Sequence, residues 1–294
     1  MLNPYKISVL IPCYNRIAYI EEAISSVKVQ KCKSLELIVV DDGSTDGSYE
    51  LLKAFADKNE IKLLTHTNRE NKGQSASLNL AISHASGEYV CILDSDDYLA
   101  PDKIETQLAL LEQDSLVGMV YGKGQAVDET GQALYMTLPD DHSDDGDPNR
   151  ILLDCFIAIP GGALIRKSVL DTVGGFDEGF RASQDHDMAI RIYEATKVVY
   201  LPNVAFFYRK HGDTISQKGL ERRWTIGFEI VRRAEQRWAY KPKTLRKRRA
   251  VLHYRIGQLR LSQRKFSSSL ISFIRSAMYD PIRALSVIVG REKS

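Results

Sequence analysis

The sequence predicts an α/β protein, with a Rossmann-like doubly wound mixed sheet over residues 1–217 and an α-helical extension over residues 218–294. Two observations lead there. From Lys6 onward, short apolar runs alternate with helical patterns, as in successive βαβ units. The charge also changes sign along the chain. The 294 residues carry a formal net charge of +2, but residues 218–294 hold 20 Lys/Arg against 5 Asp/Glu, a net +15, which leaves −13 before them. Such a split marks two parts with different tasks. With 44% hydrophobic and 27% charged residues the composition is globular, which excludes a collagen, a linker or a disulfide mini-scaffold.

The elements follow in order. Residues 7–11 form a buried strand ending at Pro12, and residues 21–29 have helical spacing. Residues 35–40 form a second buried strand, closed by Asp41 and Asp42, and Ser44 and Asp46 are expected to cap a helix through about Ala56. A third strand over 61–65, a helix over 75–83 and a fourth strand over 89–93 complete the first hundred residues, the last strand leading into Asp94-Ser95-Asp96-Asp97. Ligands of such sheets sit at the carboxyl ends of strands. Residues 139–149 are polar and acidic. They imitate the opening of a calcium loop but have Leu152 where a bidentate Glu is required, so a mobile, solvated loop is expected. A helix is expected over 188–194, with Asp185 as its alternative cap. Tyr254, Gly257, Leu259, Leu261, Phe266, Phe273, Ala277 and Pro281 suit one helical hairpin. A lone hairpin cannot bury its own apolar face, so it must rest on the first domain, a membrane or another chain.

The four cysteines (13, 32, 91 and 155) show no paired spacing, so neither a zinc site nor a disulfide framework is suggested, and a reducing cytoplasm is the default. The apolar run at residues 7–11 is too short for a signal peptide, and residues 284–290 are too short for a membrane span.

Three carboxylates within residues 94–97, directly after a buried strand, repel one another and are costly to desolvate. A hard divalent cation bearing phosphate oxygens is their natural partner; the alternative is a set of acidic caps before Pro101. The turn Asp41-Asp42-Gly43-Ser44-Thr45-Asp46 likewise either caps a helix or accepts hydrogen bonds from a nucleotide. No dinucleotide fingerprint, Walker loop, zincin helix or nucleophile elbow is present.

In order along residues 5–217 stand Ile11-Pro12-Cys13-Tyr14-Asn15, Val39 to Asp46, Asn71-Lys72-Gly73 with Ala76 and Asn79, and Gly87-Glu88-Tyr89 leading to Asp94-Ser95-Asp96-Asp97. Gly161-Gly162 through Gly174-Gly175-Phe176-Asp177-Glu178, Gln184-Asp185-His186-Asp187 and Tyr208 to His211 with Ser216 follow. This series resembles the inverting glycosyltransferases of family 2, which have the GT-A fold. The resemblance implies transfer of a sugar from a nucleotide sugar, most often a UDP-sugar, to an acceptor hydroxyl, with Mg²⁺ or Mn²⁺, in building a surface polysaccharide or glycolipid. It places Pro12, Tyr14, Asn15, Asp42, Lys72, Gly73 and Ser95 around the nucleotide, Asp94 at the ribose, and Asp96 with His211 at the metal. Asp185 becomes the candidate catalytic base, Asp187 its competitor, and Gly161 and Gly162 fall on the acceptor side. Family members usually carry Glu before that Asp; here the residue is Gln184. His142 and His186 receive no role.

Alternatives from other classes are a nucleotidyltransferase and a non-catalytic glycan-assembly or nucleic-acid-binding protein. The dense cationic stretch from Arg222 to Arg249, interleaved with Trp224, Phe228, Trp238 and Tyr240, suits an anionic membrane surface, a nucleic acid, or a solvated face against an acidic domain. The resemblance gives nucleic acid no part and implies a glycan or lipid-linked acceptor. The expected location is cytoplasmic, peripheral on the inner face of the membrane.

Overall fold

The computed structural model describes residues 6–32, 34–212 and 220–282, so Ser216 and the segment 284–290 lie outside the described residues. The chain divides into two compact units. The first comprises residues 1–146, 156–179 and 184–212, and the second residues 147–155, 180–183 and 213–294.

The first unit is built on one nine-stranded mixed sheet. Strands β1 (Ile7–Cys13), β2 (Leu35–Asp41), β3 (Lys62–Thr65) and β4 (Tyr89–Ile92) are parallel, with β1 between β2 and β4. Their crossovers are α1 (Ile20–Lys28), α2 (Ser48–Asp57) and α3 (Gln74–His84). Parallel strands covered on both faces read as continuous apolar runs, which is why β1, β2 and β4 are visible in the sequence, while β3 lies at the sheet edge and is only partly buried. A short strand β5 (Tyr98–Leu99) and helix α4 (Lys103–Gln113) lead into β6 (Val117–Val127), which pairs with β7 (Ala133–Met136). Past α5 (Pro148–Leu153) and the single turn α6 (Ile159–Gly162), strand β8 (Ala163–Arg166) runs antiparallel between β4 and β6. Helices α7 (Lys167–Val173) and α8 (Gln184–Ala195) precede β9 (Lys197–Arg209), which lies parallel to β6 and antiparallel to β5. The core is centred on β1 and β4, where Ile7, Val9, Ile11, Cys91 and Leu93 are fully or almost fully buried.

Several local expectations are corrected. Helix α2 starts at Ser48, not beside Ser44. Asp46 accepts the Ser48 N–H at 3.0 Å and the Ile17 N–H at 3.0 Å, and the Ser44 hydroxyl instead accepts the Asn15 N–H at 3.0 Å. Both side chains therefore tie the loop after β1 to the loop after β2. The acidic loop is pinned, not free. Asp140 pairs with the buried Lys123 at 2.8 Å, Tyr121 donates to Asp144 at 2.8 Å and meets the His142 ring nitrogen at 3.0 Å, and Tyr193 also donates to Asp144. Burial beside that carboxylate raises both tyrosines well above the usual phenol range.

The second unit consists of α5, α9 (Leu220–Arg237), α10 (Pro242–Ser262) and α11 (Phe266–Tyr279). The expected hairpin is present: α10 and α11 lie antiparallel, Ser269 bonding to the Gly257 carbonyl and Ser276 to the Ala250 carbonyl, each at 2.8 Å. The Phe273 ring comes so close to Gly257 that a Cβ there would be 2.8 Å from it. Part of the arginine cluster is consumed internally. Arg232 and Arg233 grip Glu229, Arg249 pairs with Glu235 at 2.6 Å, and the buried Arg248 donates to the Leu153 carbonyl at 2.8 Å. Among the described residues no helix is long and apolar enough to cross a membrane.

Candidate active site

The registers of β1 with β2 and of β1 with β4 bring the carboxyl ends of three strands side by side. Three loops therefore meet there: residues 13–16, residues 41–46 and residues 94–97.

The second loop is a gathering point. Asp42 accepts the backbone N–H groups of Lys72 at 2.7 Å and Gly73 at 2.9 Å, with His66 Nε2 3.5 Å away. One carboxylate thus folds the segment after β3 over the end of β2. Asp41 is fully buried and accepts the N–H groups of Gly43 and Ser44 at 3.2 Å each. Asn15, in the left-handed region at φ 52°, accepts the Thr45 N–H at 2.8 Å. Pro12 is buried in β1, whereas the Tyr14 ring is 46% exposed at the mouth. Gly43 has φ +78°, and a Cβ there would stand 2.6 Å from the Arg69 carbonyl oxygen. Gly43→Ala is therefore expected to lower stability by about 1–3 kcal/mol, measured as a shift of the urea midpoint.

The third loop carries the carboxylates. Asp96 Oδ2 meets Arg16 Nε at 2.9 Å and His211 Nε2 at 3.1 Å, and His211 stacks on Tyr19 with ring centroids 4.8 Å apart. Asp97 is buried and accepts the Arg209 N–H at 2.9 Å; burial and the neighbouring carboxylates raise it well above the usual range. Ser95 is buried between them. Asp94 is pushed up to about 7, first by burial and then by the negative charges of Asp96 and Asp185. Its Oδ1 accepts from Gln74 Nε2 at 2.8 Å, and Gln74 Oε1 accepts from Gln184 Nε2 at 2.8 Å. Gln184, where relatives are expected to have Glu, is thus the first member of an amide chain ending on Asp94. A Glu there could not donate to Gln74.

Helix α8 begins at Gln184, so Asp185 lies in its first turn, where it accepts the His186 N–H at 2.9 Å. Asp187 faces elsewhere: it is buried and gripped by Arg191 at 2.8 Å. The two acids are separated as helix geometry requires, and Asp185 is the one whose charge reaches Asp94. Gly161 and Gly162 are buried. A Cβ on Gly161 would be 2.4 Å from the Phe206 ring, and the Gly162 carbonyl accepts from Gln107 at 2.8 Å, so the structure gives this pair a packing role.

The site thus joins Asn15, Asp42, Lys72 and Gly73 on one side, and Asp94, Ser95, Asp96, His211 and Asp185 on the other. Arg16, Gln74 and His66 belong to it as well, outside the quoted motifs, as does Arg209, which lies within the motif from Tyr208 to His211 but receives no role from it. Arg16 follows Tyr14 and Asn15 directly and Gln74 follows Lys72 and Gly73, which is the one signal for each; spacing offers none for His66. Among the described residues, no group of three or more His, Cys, Asp and Glu side chains is arranged to hold a metal ion. What converges is a pair, Asp96 and His211. Its carboxylate is an oxygen donor of the kind Mg²⁺ or Mn²⁺ takes at phosphate sites, where such ions use few protein ligands, whereas the imidazole of His211 is a donor better suited to softer divalent metals.

A sequence model described as glycosyl transferase family 2 matches residues 8–174. The chain belongs to that family. Glycosyltransferase GlyG of Streptococcus pneumoniae is 30% identical over 231 residues, covering 74% of this chain and 75% of that protein. An uncharacterized glycosyltransferase of Rickettsia conorii is 44% identical over 117 residues, 40% of this chain. The chain spans only part of its Rickettsia relatives: 19% of the R. conorii protein, 30% of one from R. felis and 64% of one from R. typhi. Among solved structures, residues 1–349 of S. aureus TarS in complex with UDP-GlcNAc superpose with a TM-score of 0.68 at 20% identity, covering 92% of this chain and 81% of that one. Mannosyltransferase PcManGT of Pyrobaculum calidifontis, in complex with GDP-Man and Mn²⁺, gives 0.61 at 20% identity over 97% of this chain and 79% of that one. At these identities the likeness is one of fold, and the fold of this family-2 chain is of the GT-A type.

Proposed function

We propose that the chain is an inverting, metal-dependent glycosyltransferase that moves a sugar from a nucleotide sugar, a UDP-sugar by preference, to an acceptor hydroxyl during synthesis of a surface polysaccharide or glycolipid. The observation that carries this reading is the convergence of Asp94, Asp96, His211 and Asp185 beside the loop gathered by Asp42. The complexes of the structural neighbours with UDP-GlcNAc and with GDP-Man and Mn²⁺ support a nucleotide-sugar donor. Residues 1–217 are the transfer domain in this reading.

Pro12, Tyr14, Asn15, Lys72 and Gly73 line the nucleotide. Asp42 holds its loop through one lone pair on each oxygen and keeps the others for the base. Asp94, oriented by Gln74 and flanked by Ser95, meets the ribose. Asp96 and His211 would hold Mg²⁺ or Mn²⁺, which when bound supplies positive charge at the diphosphate. Asp185 takes the proton of the acceptor hydroxyl as its oxygen bonds to the anomeric carbon from the face opposite the diphosphate. The bond to the diphosphate breaks, its electron pair leaving with that group, and the configuration inverts.

A thermal-shift series with UDP- and GDP-sugars, with and without Mn²⁺, tests the reading. Ligand at a hundredfold excess over Kd stabilises the native state by about 2.7 kcal/mol. A rise in Tm with at least one nucleotide sugar, larger with Mn²⁺, is expected. No rise with any of them, or release of pyrophosphate from a nucleoside triphosphate, would refute it. For residues 218–294 we carry forward peripheral attachment to an anionic membrane on the cytoplasmic face, where a lipid-linked acceptor would be met.

A further inference from the structure

Helix α11 is amphipathic the wrong way round for a helix packed in a soluble unit. Three of its serines face inward: Ser269, Ser272 and Ser276 are 2%, 3% and 9% exposed, and their hydroxyls bond to the carbonyls of Gly257, Ser268 and Ala250. Most of its large side chains face outward, Phe273, which packs on Gly257, being the exception. Phe266, Leu270, Ile274 and Met278 are 65%, 60%, 52% and 78% exposed, with Ile271 at 50% beside them. Four-residue steps advance about 40° around a helix, so these side chains form one continuous stripe. Small serines let α11 approach α10 closely, and the arrangement leaves the apolar face unpartnered. An apolar surface of this extent marks an interaction site.

Charge identifies the occupant. Residues 242–279 contain ten Lys/Arg and no Asp or Glu, and although Arg248 is buried and Arg249 and Arg260 meet Glu235 and Glu221, those nearest the stripe are exposed. Arg264 and Lys265, both exposed, stand at the start of the stripe, and the exposed Arg275 stands along it. At its far end a cleft of about 470 Å³ is lined by His253, Arg275, Met278 and Tyr279, so one wall is basic and another belongs to the stripe. An apolar face opening onto a basic cleft matches a molecule with acyl chains and an anionic head.

We infer that α11 is the lipid contact of this chain, lying along an anionic bilayer with Phe266, Leu270, Ile274 and Met278 in the acyl boundary and a phosphate headgroup at the Arg275 cleft. The inference rests on the peripheral-attachment reading and moves the contact from the arginine-rich stretch, whose charges are partly paired, to the inverted helix face.

The test is flotation of the full chain with vesicles of phosphatidylglycerol mixed with phosphatidylcholine, and of phosphatidylcholine alone. The native chain binds the anionic vesicles. The triple variant Leu270→Ser/Ile274→Ser/Met278→Ser weakens that binding about tenfold or more, with unchanged circular dichroism because all three side chains are exposed. Arg275→Glu weakens it about tenfold, and the loss is greater on phosphatidylglycerol than on phosphatidylcholine. Failure of the native chain to float overturns the attachment reading itself. Equal flotation of native and triple-variant chains overturns only the assignment to α11. A native dimer by light scattering that the triple variant turns into a monomer, with flotation unchanged, assigns the face to a second copy and overturns the lipid contact.

Discussion

Asp185→Asn lowers kcat for sugar transfer by about 10²–10⁴-fold, the range that a positioned general base contributes. The donor KM changes little, because the proton is taken from the acceptor. Asn is nearly isosteric, and the Asp185 oxygen serves the fold by accepting the neighbouring His186 N–H, which an amide oxygen can also accept. The urea midpoint of this variant should therefore stay close to that of the native chain. Asp187→Asn should show the converse: its carboxylate is buried against Arg191, so loss of the charge leaves a guanidinium poorly paired and lowers stability by about 1–3 kcal/mol, with a smaller effect on kcat. Steady-state kinetics and denaturation of the two variants together separate a base from a scaffold acid. If Asp187→Asn abolishes turnover in folded protein and Asp185→Asn does not, the base has been assigned to the wrong carboxylate.

The candidate carboxylates are legible in the sequence because of a property of parallel sheets. Strands β1, β2 and β4 are buried on both faces and read as apolar runs, so the polar residues that end them stand out, and Asp42, Asp94 and Asp96 follow directly. The second half of the sheet is less legible. Strand β6 is interrupted by Gly118, Gly122, Lys123 and Gly124; Gly122 and Gly124 suit a strand only because the Asn203 carbonyl and the Phe206 ring of β9 occupy the space they leave. The partners of the carboxylates are hidden for a related reason. Arg16 reaches Asp96 across 80 residues and Gln184 reaches Gln74 across 110, and no local pattern encodes such pairings. The acidic loop deceives in the same way: its Asp residues resemble a solvated run, yet Tyr121 and Tyr193, on distant elements, donate to Asp144.

Asp96→Asn and Asp96→Ala should each reduce kcat/KM by about 10²–10³-fold, the scale seen when one preorganised electrostatic partner of a reacting group is removed, and each should abolish the Mn²⁺-dependent part of the nucleotide-sugar thermal shift. They should differ in what they do to the protein alone. The Asp96 carboxylate neutralises the half-buried guanidinium of Arg16, whose NH1 is otherwise bonded to the carbonyls of Asn15 at 3.0 Å and Tyr14 at 3.4 Å. Asn keeps an oxygen that Arg16 and His211 can meet, whereas Ala removes every acceptor, so the alanine variant should lose about 1–3 kcal/mol of stability and the asparagine variant less. Equal loss of activity with unequal loss of stability would show that the negative charge of Asp96, and not its place in the loop, serves the reaction. The result that defeats this assignment is Asp96→Asn with native kcat/KM and native Mn²⁺ dependence, because Asp96 is the carboxylate of this site that touches both Arg16 and His211.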